Sequence, residues 1–135
     1  MNSQSIIVLG RYPKLGQVKT RLAKEIGEES ALEFYTKTIE KIFQELELLK
    51  AQSDIYFYHA NASDHELVKK WVGHKFFCVS PKSSDITTHL KGAFTELFAK
   101  GYSRVICLST DVPQLNAILI RQAFLKLDYF DGVMV

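Results

Sequence analysis

The residues best suited to chemistry in this sequence form a short basic segment near the N-terminus, residues 10 to 22. No Asp or Glu occurs before Glu25, and the segment carries four cations: Arg11, Lys14, Lys19 and Arg21. It lies between an apolar run that indicates a buried strand and an apolar repeat that indicates a helix. The first turn of a helix offers free N–H groups and the positive end of its dipole. A phosphate is therefore the ligand that this segment predicts.

The composition of the segment also fits a plainer role. Gln17, Arg21 and Lys24 share helical spacing and are equally compatible with a solvated basic surface. The glycines match neither the phosphate-binding loop of nucleoside triphosphatases nor the GxGxxG pattern of dinucleotide-binding proteins, so neither class of protein is predicted. Anion binding and a solvated face both remain open at this point.

A second candidate is Asp111, which directly follows an apolar run at residues 104 to 109. Ahead of Pro113, an Asp often shapes a turn through its own backbone. A carboxylate here is also a suitable ligand for Mg²⁺ or Mn²⁺, since these ions take one or two carboxylates together with substrate phosphate oxygens. Spacing alone leaves the two roles of Asp111 open. Asp85 poses a similar choice, and a helix cap is the favoured role there.

Alternating strands and helices predict how these residues are positioned. Short apolar runs predict strands at residues 5 to 10, 54 to 59, 75 to 79, 104 to 109 and 131 to 135. Helical repeats separate them. The first helix has Val18, Leu22 and Ile26 on one face and ends at Gly27, and the second begins near Glu28 with Tyr35 in its apolar stripe. The third is capped by Ser63 and Asp64 and stops at Gly73, and others begin after Asp85 and at residue 115. This order predicts an α/β fold with a parallel sheet and helices on both faces. Ligands bind beyond the carboxyl ends of such strands, where the basic segment and Asp111 both fall.

Composition limits the other possibilities. A single domain is expected for 135 residues, and a net charge of +2 does not argue for nucleic acid. Cys78 and Cys107 lie in apolar runs and are predicted to be buried thiols. The histidines show no metal-ligand spacing and receive no role: His59, His65, His74 and His89. Without a signal peptide or an apolar run of about 20 residues, we expect a cytoplasmic protein with no membrane span.

Three stretches resemble the DUF2064 family of glycosyltransferase-like proteins. Residues 7 to 22 (IVLGRYPKLGQVKTRL) resemble the family's first strand and its Lys-x-Pro-x-x-Gly-x-Val-Lys-Thr-Arg-Leu loop. Residues 107 to 115 (CLSTDVPQL) resemble its Gly-Ser-Asp-x-Pro-x-Leu segment. Asp85 and the helix that continues to Phe94 resemble its Asp-Leu-Gly-x-Arg helix. The order and spacing agree along essentially the whole chain.

The resemblance implies a three-layer α/β/α fold with a mostly parallel, Rossmann-like sheet of the GT-A, nucleotide-diphospho-sugar transferase type. It implies that Lys19 and Arg21 meet nucleotide phosphates and that Asp111 holds a bridging Mg²⁺ or Mn²⁺. The chemistry would be transfer of a sugar or nucleotidyl group, from a nucleotide-sugar or a nucleoside triphosphate. The expected nucleotide- and phosphate-binding residues are Arg11, Lys14, Gly16, Lys19, Thr20, Arg21 and Asp85.

Some positions depart from the family pattern. Tyr12 replaces a Lys, and Thr87 and His89 stand where the family has Gly and Arg. The family also continues beyond residue 135 into elements of the acceptor side, so we expect the chain to represent a donor-binding half, truncated at its C-terminus. A catalytically inactive nucleotide-binding or assembly module is therefore the alternative to an active transferase. An exposed strand at residues 131 to 135 would also favour a homo-oligomer.

Overall fold

Four parallel strands form the central sheet of the computed structural model, which describes residues 2–73, 75–81, 86–110 and 116–126. The strands lie in the order β3-β2-β1-β4. In the register of the sheet, Val8 of β1 lies opposite Phe57 of β2 and Leu108 of β4. Their bounds are β1 Gln4–Gly10, β2 Asp54–His59, β3 Phe77–Val79 and β4 Arg104–Ser109. The predicted parallel sheet is confirmed for these strands, and the predicted strand at 131 to 135 lies outside the described residues.

Five α-helices and one short 3₁₀ turn connect and cover the strands in the described ranges. The helices are α1 Thr20–Ile26, α2 Glu28–Glu47, α3 His65–Val72, α4 Ile86–Ala99 and α5 Ala117–Lys126. The 3₁₀ turn, Ala62–Asp64, precedes α3. Gly27 and Gly73 have positive φ angles and end α1 and α3, as predicted, because glycine adopts this backbone conformation without a Cβ clash.

The sheet is covered by helices on both faces. On one face, α2, α3 and α5 pack a large core onto β1 and β2, with Ile6, Ile39 and Phe57 fully buried at its centre. On the other face, α4 covers a smaller core that includes Ile7 and Leu97. Consecutive strand residues point to opposite faces, which is why Ile6 and Ile7 belong to different cores. The predicted three-layer α/β/α arrangement is confirmed.

Three local predictions were wrong. Helix α1 was expected to present Val18, Leu22 and Ile26 on one apolar face, but Val18 is buried before the helix begins, the helix itself has no buried residue, and Ile26 is 47% exposed. Strand β3 begins at Phe77, two residues later than predicted, because the preceding Phe76 turns into the larger core. Asp64 makes no side-chain capping bond to α3. Its carboxylate is held by other partners in the candidate site.

The two cysteines are unpaired and only partly buried. Burial among the residues under α4 raises the pKa of the Cys107 thiol to about 11, so it stays protonated at neutral pH. No helix within the described ranges is long and apolar enough to cross a membrane.

Gly92 offers a test of helix α4. It lies in the helix interior, and a Cβ built there would meet no atom within 4 Å. Gly92→Ala is therefore expected to stabilise the protein by about 0.5–1 kcal/mol, since glycine loses more backbone freedom on folding than alanine. Urea unfolding measures the effect. Gly10→Ala is the contrasting variant and should destabilise, because its Cβ would lie 3.0 Å from the Phe57 ring.

Candidate functional site

The basic segment forms a loop that leaves β1 at the carboxyl edge of the sheet and enters α1. Gly10 packs closely against Phe57 and Thr110: a Cβ at this position would lie 3.0 Å from the Phe57 ring and 3.1 Å from the Thr110 side chain, so these neighbours would have to shift to admit it. Lys19, directly before α1, has a φ of 49°, and it is the one non-glycine residue in the described ranges with a positive φ. This left-handed backbone is costly for a residue with a side chain, so the packing around the loop must hold it in place.

Tyr35 of α2 fixes the start of this loop. Its hydroxyl donates to the carbonyl oxygen of Arg11 at 2.9 Å and accepts from the Arg11 N–H at 3.0 Å. The same hydroxyl lies 3.4 Å from the Thr110 hydroxyl, beyond the end of β4. The Tyr35 side chain is 3% exposed, so water does not replace these contacts readily. One buried hydroxyl thus connects the loop after β1 with the loop after β4.

A cleft of about 1040 Å³ opens at this edge of the sheet, and we call it the basic cleft. Its described lining residues include Ser109 at the end of β4, Thr110 just after it and His59 at the end of β2. Three cations, Arg11, Lys19 and Arg21, also line it. No Asp or Glu is among the lining residues that the structure describes. The electrostatic potential in this cleft therefore favours an anion.

Two of the cations have defined local partners. The Arg11 guanidinium donates through Nη1 to the carbonyl oxygen of Gln17 at 2.9 Å, which ties the two ends of the loop together. The Lys19 ammonium lies 5.7 Å from the centre of the Phe34 ring, within the range of a cation–π contact. Phe34 is 41% exposed and lines the basic cleft. Arg21 is exposed at the same cleft.

Lys14 lies outside the described lining of the basic cleft. Its ammonium forms an ion pair with Asp64, whose side chain is only 4% exposed. Asn61 also donates to the same carboxylate, at 3.3 Å. The Lys14 hydrogen bond holds the pKa of Asp64 below its usual value. Lys14 is therefore engaged by a buried carboxylate and is not among the residues that line the basic cleft.

His59, which lines the cleft, contacts a second histidine, His65. His59 is fully buried, and its Nε2 lies 2.9 Å from Nδ1 of His65, so one nitrogen donates to the other. The two rings are stacked with centroids 5.1 Å apart. Burial lowers the pKa of His59, and His65 lowers it further, against the opposing effects of the Asn61 backbone and Asp64. Within the described ranges, no three His, Cys, Asp or Glu side chains are grouped to hold a metal ion.

The structure brings together part of the predicted site. Arg11, Lys19, Thr20 and Arg21 line one cleft, and their binding of phosphate stays a prediction. Gly16 does not line this cleft. A Cβ built on Gly16 would lie 3.4 Å from the Oε1 atom of Glu28. Asp85 and Asp111 lie outside the described residues, so their roles stay predictions. Sequence reasoning missed Phe34, Tyr35, His59 and His65.

The buried histidines predict a pH-dependent stability. Burial lowers the pKa values of His59 and His89 from the usual 6.5. The unfolded chain then binds more protons than the folded protein as the pH falls through about 6.5, so stability decreases in acid. The midpoint of thermal unfolding should be lower at about pH 5.5 than at about pH 7.5. The double variant His59→Gln/His89→Gln should show a smaller difference, and an unchanged difference would contradict this account.

Comparison with known proteins defines the class of fold. The chain is similar to the crystal structure of a putative nucleotide-diphospho-sugar transferase from Desulfovibrio desulfuricans G20, with a TM-score of 0.87 and 27% sequence identity. The match covers 96% of this chain and 56% of that chain, so the present sequence spans little more than half of the other protein. The predicted fold of the nucleotide-diphospho-sugar transferase type is confirmed.

The family can be stated more narrowly. A sequence model of the family described as "Uncharacterized protein conserved in bacteria (DUF2064)" matches residues 42–135. The chain belongs to the DUF2064 family, as its sequence motifs predicted. The matched range begins after the basic segment, and the structural similarity extends over 96% of the chain. The search of curated proteins found no match.

Proposed function

We propose that this protein binds a nucleotide-diphospho-sugar or a nucleoside triphosphate in the basic cleft and takes part in transfer of the sugar or nucleotidyl group. The observation that carries the proposal is the charge of the lining: Arg11, Lys19 and Arg21 face the cleft, and the described lining holds no carboxylate. The similar Desulfovibrio protein, described as a nucleotide-diphospho-sugar transferase of putative function, supports the same class of ligand.

The proposed chemistry is mainly electrostatic. When a sugar or nucleotidyl group is transferred, negative charge develops on the departing phosphate or diphosphate. Preorganised cations stabilise that charge more strongly in a desolvated cleft than in water. Lys19 and Arg21 are the residues that we assign to the phosphates. Arg11, anchored on Gln17, maintains the loop and adds positive charge beside them.

We further propose that Mg²⁺ or Mn²⁺ accompanies the nucleotide. The described lining of the cleft has no carboxylate, so a metal there needs an oxygen ligand from elsewhere in the chain. Asp111 fits this need, because Thr110, its neighbour in sequence, lines the cleft beyond β4. A hard divalent ion can be held by a single carboxylate when phosphate oxygens and water complete its shell. Bound there, the ion would supply further charge stabilisation on the leaving phosphate.

Isothermal titration calorimetry tests the class of ligand. UDP-glucose, GDP-mannose, CTP and GTP are titrated separately with and without about 5 mM Mn²⁺, enough to saturate a metal-nucleotide site. At least one should bind, and more tightly with the metal. Asp111→Asn should remove most of the metal dependence while leaving metal-free binding nearly unchanged. Failure of all four ligands to bind under both conditions would contradict the proposal.

Turnover separates the proposed transferase from its alternative. An inactive nucleotide-binding or assembly module would bind the same nucleotide with the same metal dependence but would release no nucleoside diphosphate or pyrophosphate. Product release measured with the best-binding nucleotide decides between them. Light scattering tests the predicted self-association through residues 131 to 135. If the chains associate, the measured molar mass should increase with protein concentration.

A further inference from the structure

A second cleft, of about 730 Å³, lies between the end of β3 and helix α4, and we call it the α4 cleft. Val79, Gly92 and Ala93 contribute to its lining, so much of its surface is apolar. Tyr58 and His89 line both this cleft and the basic cleft. The two clefts are therefore adjacent and share these two side chains.

The shared side chains carry two buried polar atoms that need a partner. The Tyr58 hydroxyl and the Nε2 atom of His89 are buried and have no hydrogen-bond partner among the residues that the structure describes. Tyr58 is only 3% exposed, and the two rings meet edge to face with centroids 5.5 Å apart. A buried polar atom without a hydrogen bond lowers the stability of the folded state, so such atoms are uncommon unless a ligand or water forms the missing hydrogen bond.

The protonation of this pair defines what it can bind. Burial raises the pKa of Tyr58 and lowers that of His89, so both side chains are neutral at physiological pH. The tyrosine O–H can donate, and a neutral imidazole with its proton on Nδ1 accepts at Nε2. A hydroxyl group accepts one hydrogen bond and donates another, which matches the pair. A fully ionised phosphate matches this tautomer poorly, because it has no proton to donate to Nε2, and Glu96 offsets the charge of Lys91 in this lining.

We propose that the α4 cleft binds an uncharged alcohol with an apolar body, whose hydroxyl group accepts from Tyr58 and donates to Nε2 of His89. The apolar body would lie against Val79, Gly92 and Ala93. The alcohol would be the acceptor of the proposed transfer, and only this last identification rests on the proposed function. Binding of the alcohol itself requires no nucleotide and is tested without one.

Amide chemical shifts of ¹⁵N-labelled protein provide the test. The probe is benzyl alcohol, and benzyl methyl ether is the matched compound that can accept a hydrogen bond but cannot donate one. Benzyl alcohol should shift the amide signals of Ser80, Thr88 and Gly92, with a dissociation constant on the order of millimolar for so small a ligand. It should bind about three- to tenfold more tightly than the ether, the effect of one neutral hydrogen bond.

Variants locate the binding and identify its polar contacts. Gly92→Phe should fill the cleft and abolish the shifts; the open space around Gly92 favours correct folding of this variant. Ala99→Phe adds the same ring to an exposed position of α4 outside the cleft and should leave binding unchanged. His89→Leu should remove the preference for the alcohol over the ether. Tyr58→Phe should weaken both compounds.

Several results would overturn the inference. It would be wrong if benzyl alcohol did not bind, or if the ether bound as tightly as the alcohol. It would also be wrong if the His89→Leu variant still preferred the alcohol over the ether, or if benzyl alcohol still shifted the amide signals of the Gly92→Phe variant. Displacement of benzyl alcohol by UDP would also overturn it, because the α4 cleft would then belong to the nucleotide. If benzyl alcohol binds as described and no nucleotide binds at all, the inference stands and the proposed function is contradicted.

Discussion

Replacing Lys19 and Arg21 together by glutamine is expected to weaken binding of the best nucleotide ligand by about 100-fold or more. Each side chain lines the basic cleft and is assigned a charge-assisted contact with phosphate. Such contacts are worth about 1.5–3 kcal/mol each, or about tenfold to 100-fold in affinity. The dissociation constant, measured by calorimetry at fixed ionic strength, gives the effect directly, since screening by salt weakens all charge contacts.

A neighbouring cation supplies the control for this experiment. Lys24 lies on the same helix, is exposed and does not line the basic cleft. Lys24→Gln removes one positive charge from α1 without touching the cleft and should change the affinity by less than about threefold, through long-range electrostatics alone. Equal losses for Lys24→Gln and for Arg21→Gln would mean that the net charge of the surface, rather than the cleft, attracts the nucleotide.

Removal of a single oxygen atom in Tyr35→Phe is expected to destabilise the fold by about 1–3 kcal/mol, since it removes the hydrogen bonds that a buried hydroxyl makes to the backbone of Arg11. The hydroxyl joins the N–H and carbonyl of Arg11 and lies near Thr110. Nucleotide affinity should also fall, because the loop that presents Lys19 and Arg21 is then less constrained. Urea unfolding and calorimetry measure the two effects.

Tyr12→Phe is the matched control for Tyr35→Phe. Tyr12 lies in the same loop, and its ring packs edge to face on Trp71 with centroids 5.6 Å apart. This contact depends on the ring and is retained in phenylalanine. The stability change should be within about 0.5 kcal/mol, as for a substitution that leaves packing intact. A Tyr35→Phe variant as stable as Tyr12→Phe would contradict the role assigned to the Tyr35 hydroxyl.

The arrangement of strands and helices was predictable because its signals are local. The apolar runs that form β2 and β4 have the predicted bounds, Asp54–His59 and Arg104–Ser109. Gly27 and Gly73 end their helices because glycine can adopt the positive φ angles found there, a property of the residue itself that the sequence reveals directly. Helix α1 was misjudged because it has only 7 residues, too few for an apolar repeat to define a buried face.

The contacts within the site were harder to predict from the sequence, because they join residues that are far apart along the chain. Lys14 and Asp64 are 50 residues apart in sequence, so a cation predicted to bind phosphate gave no sign of its buried partner. Tyr35 fitted the apolar repeat of α2 and was predicted only to pack, whereas its hydroxyl contacts Thr110, 75 residues later. His59 and His65 meet only because the chain turns between β2 and α3.

The basic cleft and the α4 cleft together give the proposed transfer a physical layout. One cleft presents cations to a charged nucleotide, and the other presents two neutral polar atoms to an alcohol. Tyr58 and His89 line both, so the ends of the two ligands would meet beside them. Separate charged and neutral subsites that adjoin one another are the arrangement that brings two reactants together in a bimolecular transfer.

The position of bound nucleotide tests the central claim most directly. In a titration of ¹⁵N-labelled protein with UDP and Mg²⁺, the largest amide shifts should fall on Arg11, Lys19, Thr20 and Arg21, which line the basic cleft. The Lys19→Gln/Arg21→Gln variant should lose these shifts at the same UDP concentration. Largest shifts on residues away from the basic cleft, or identical shifts in that variant, would contradict the assignment of the basic segment to the phosphates.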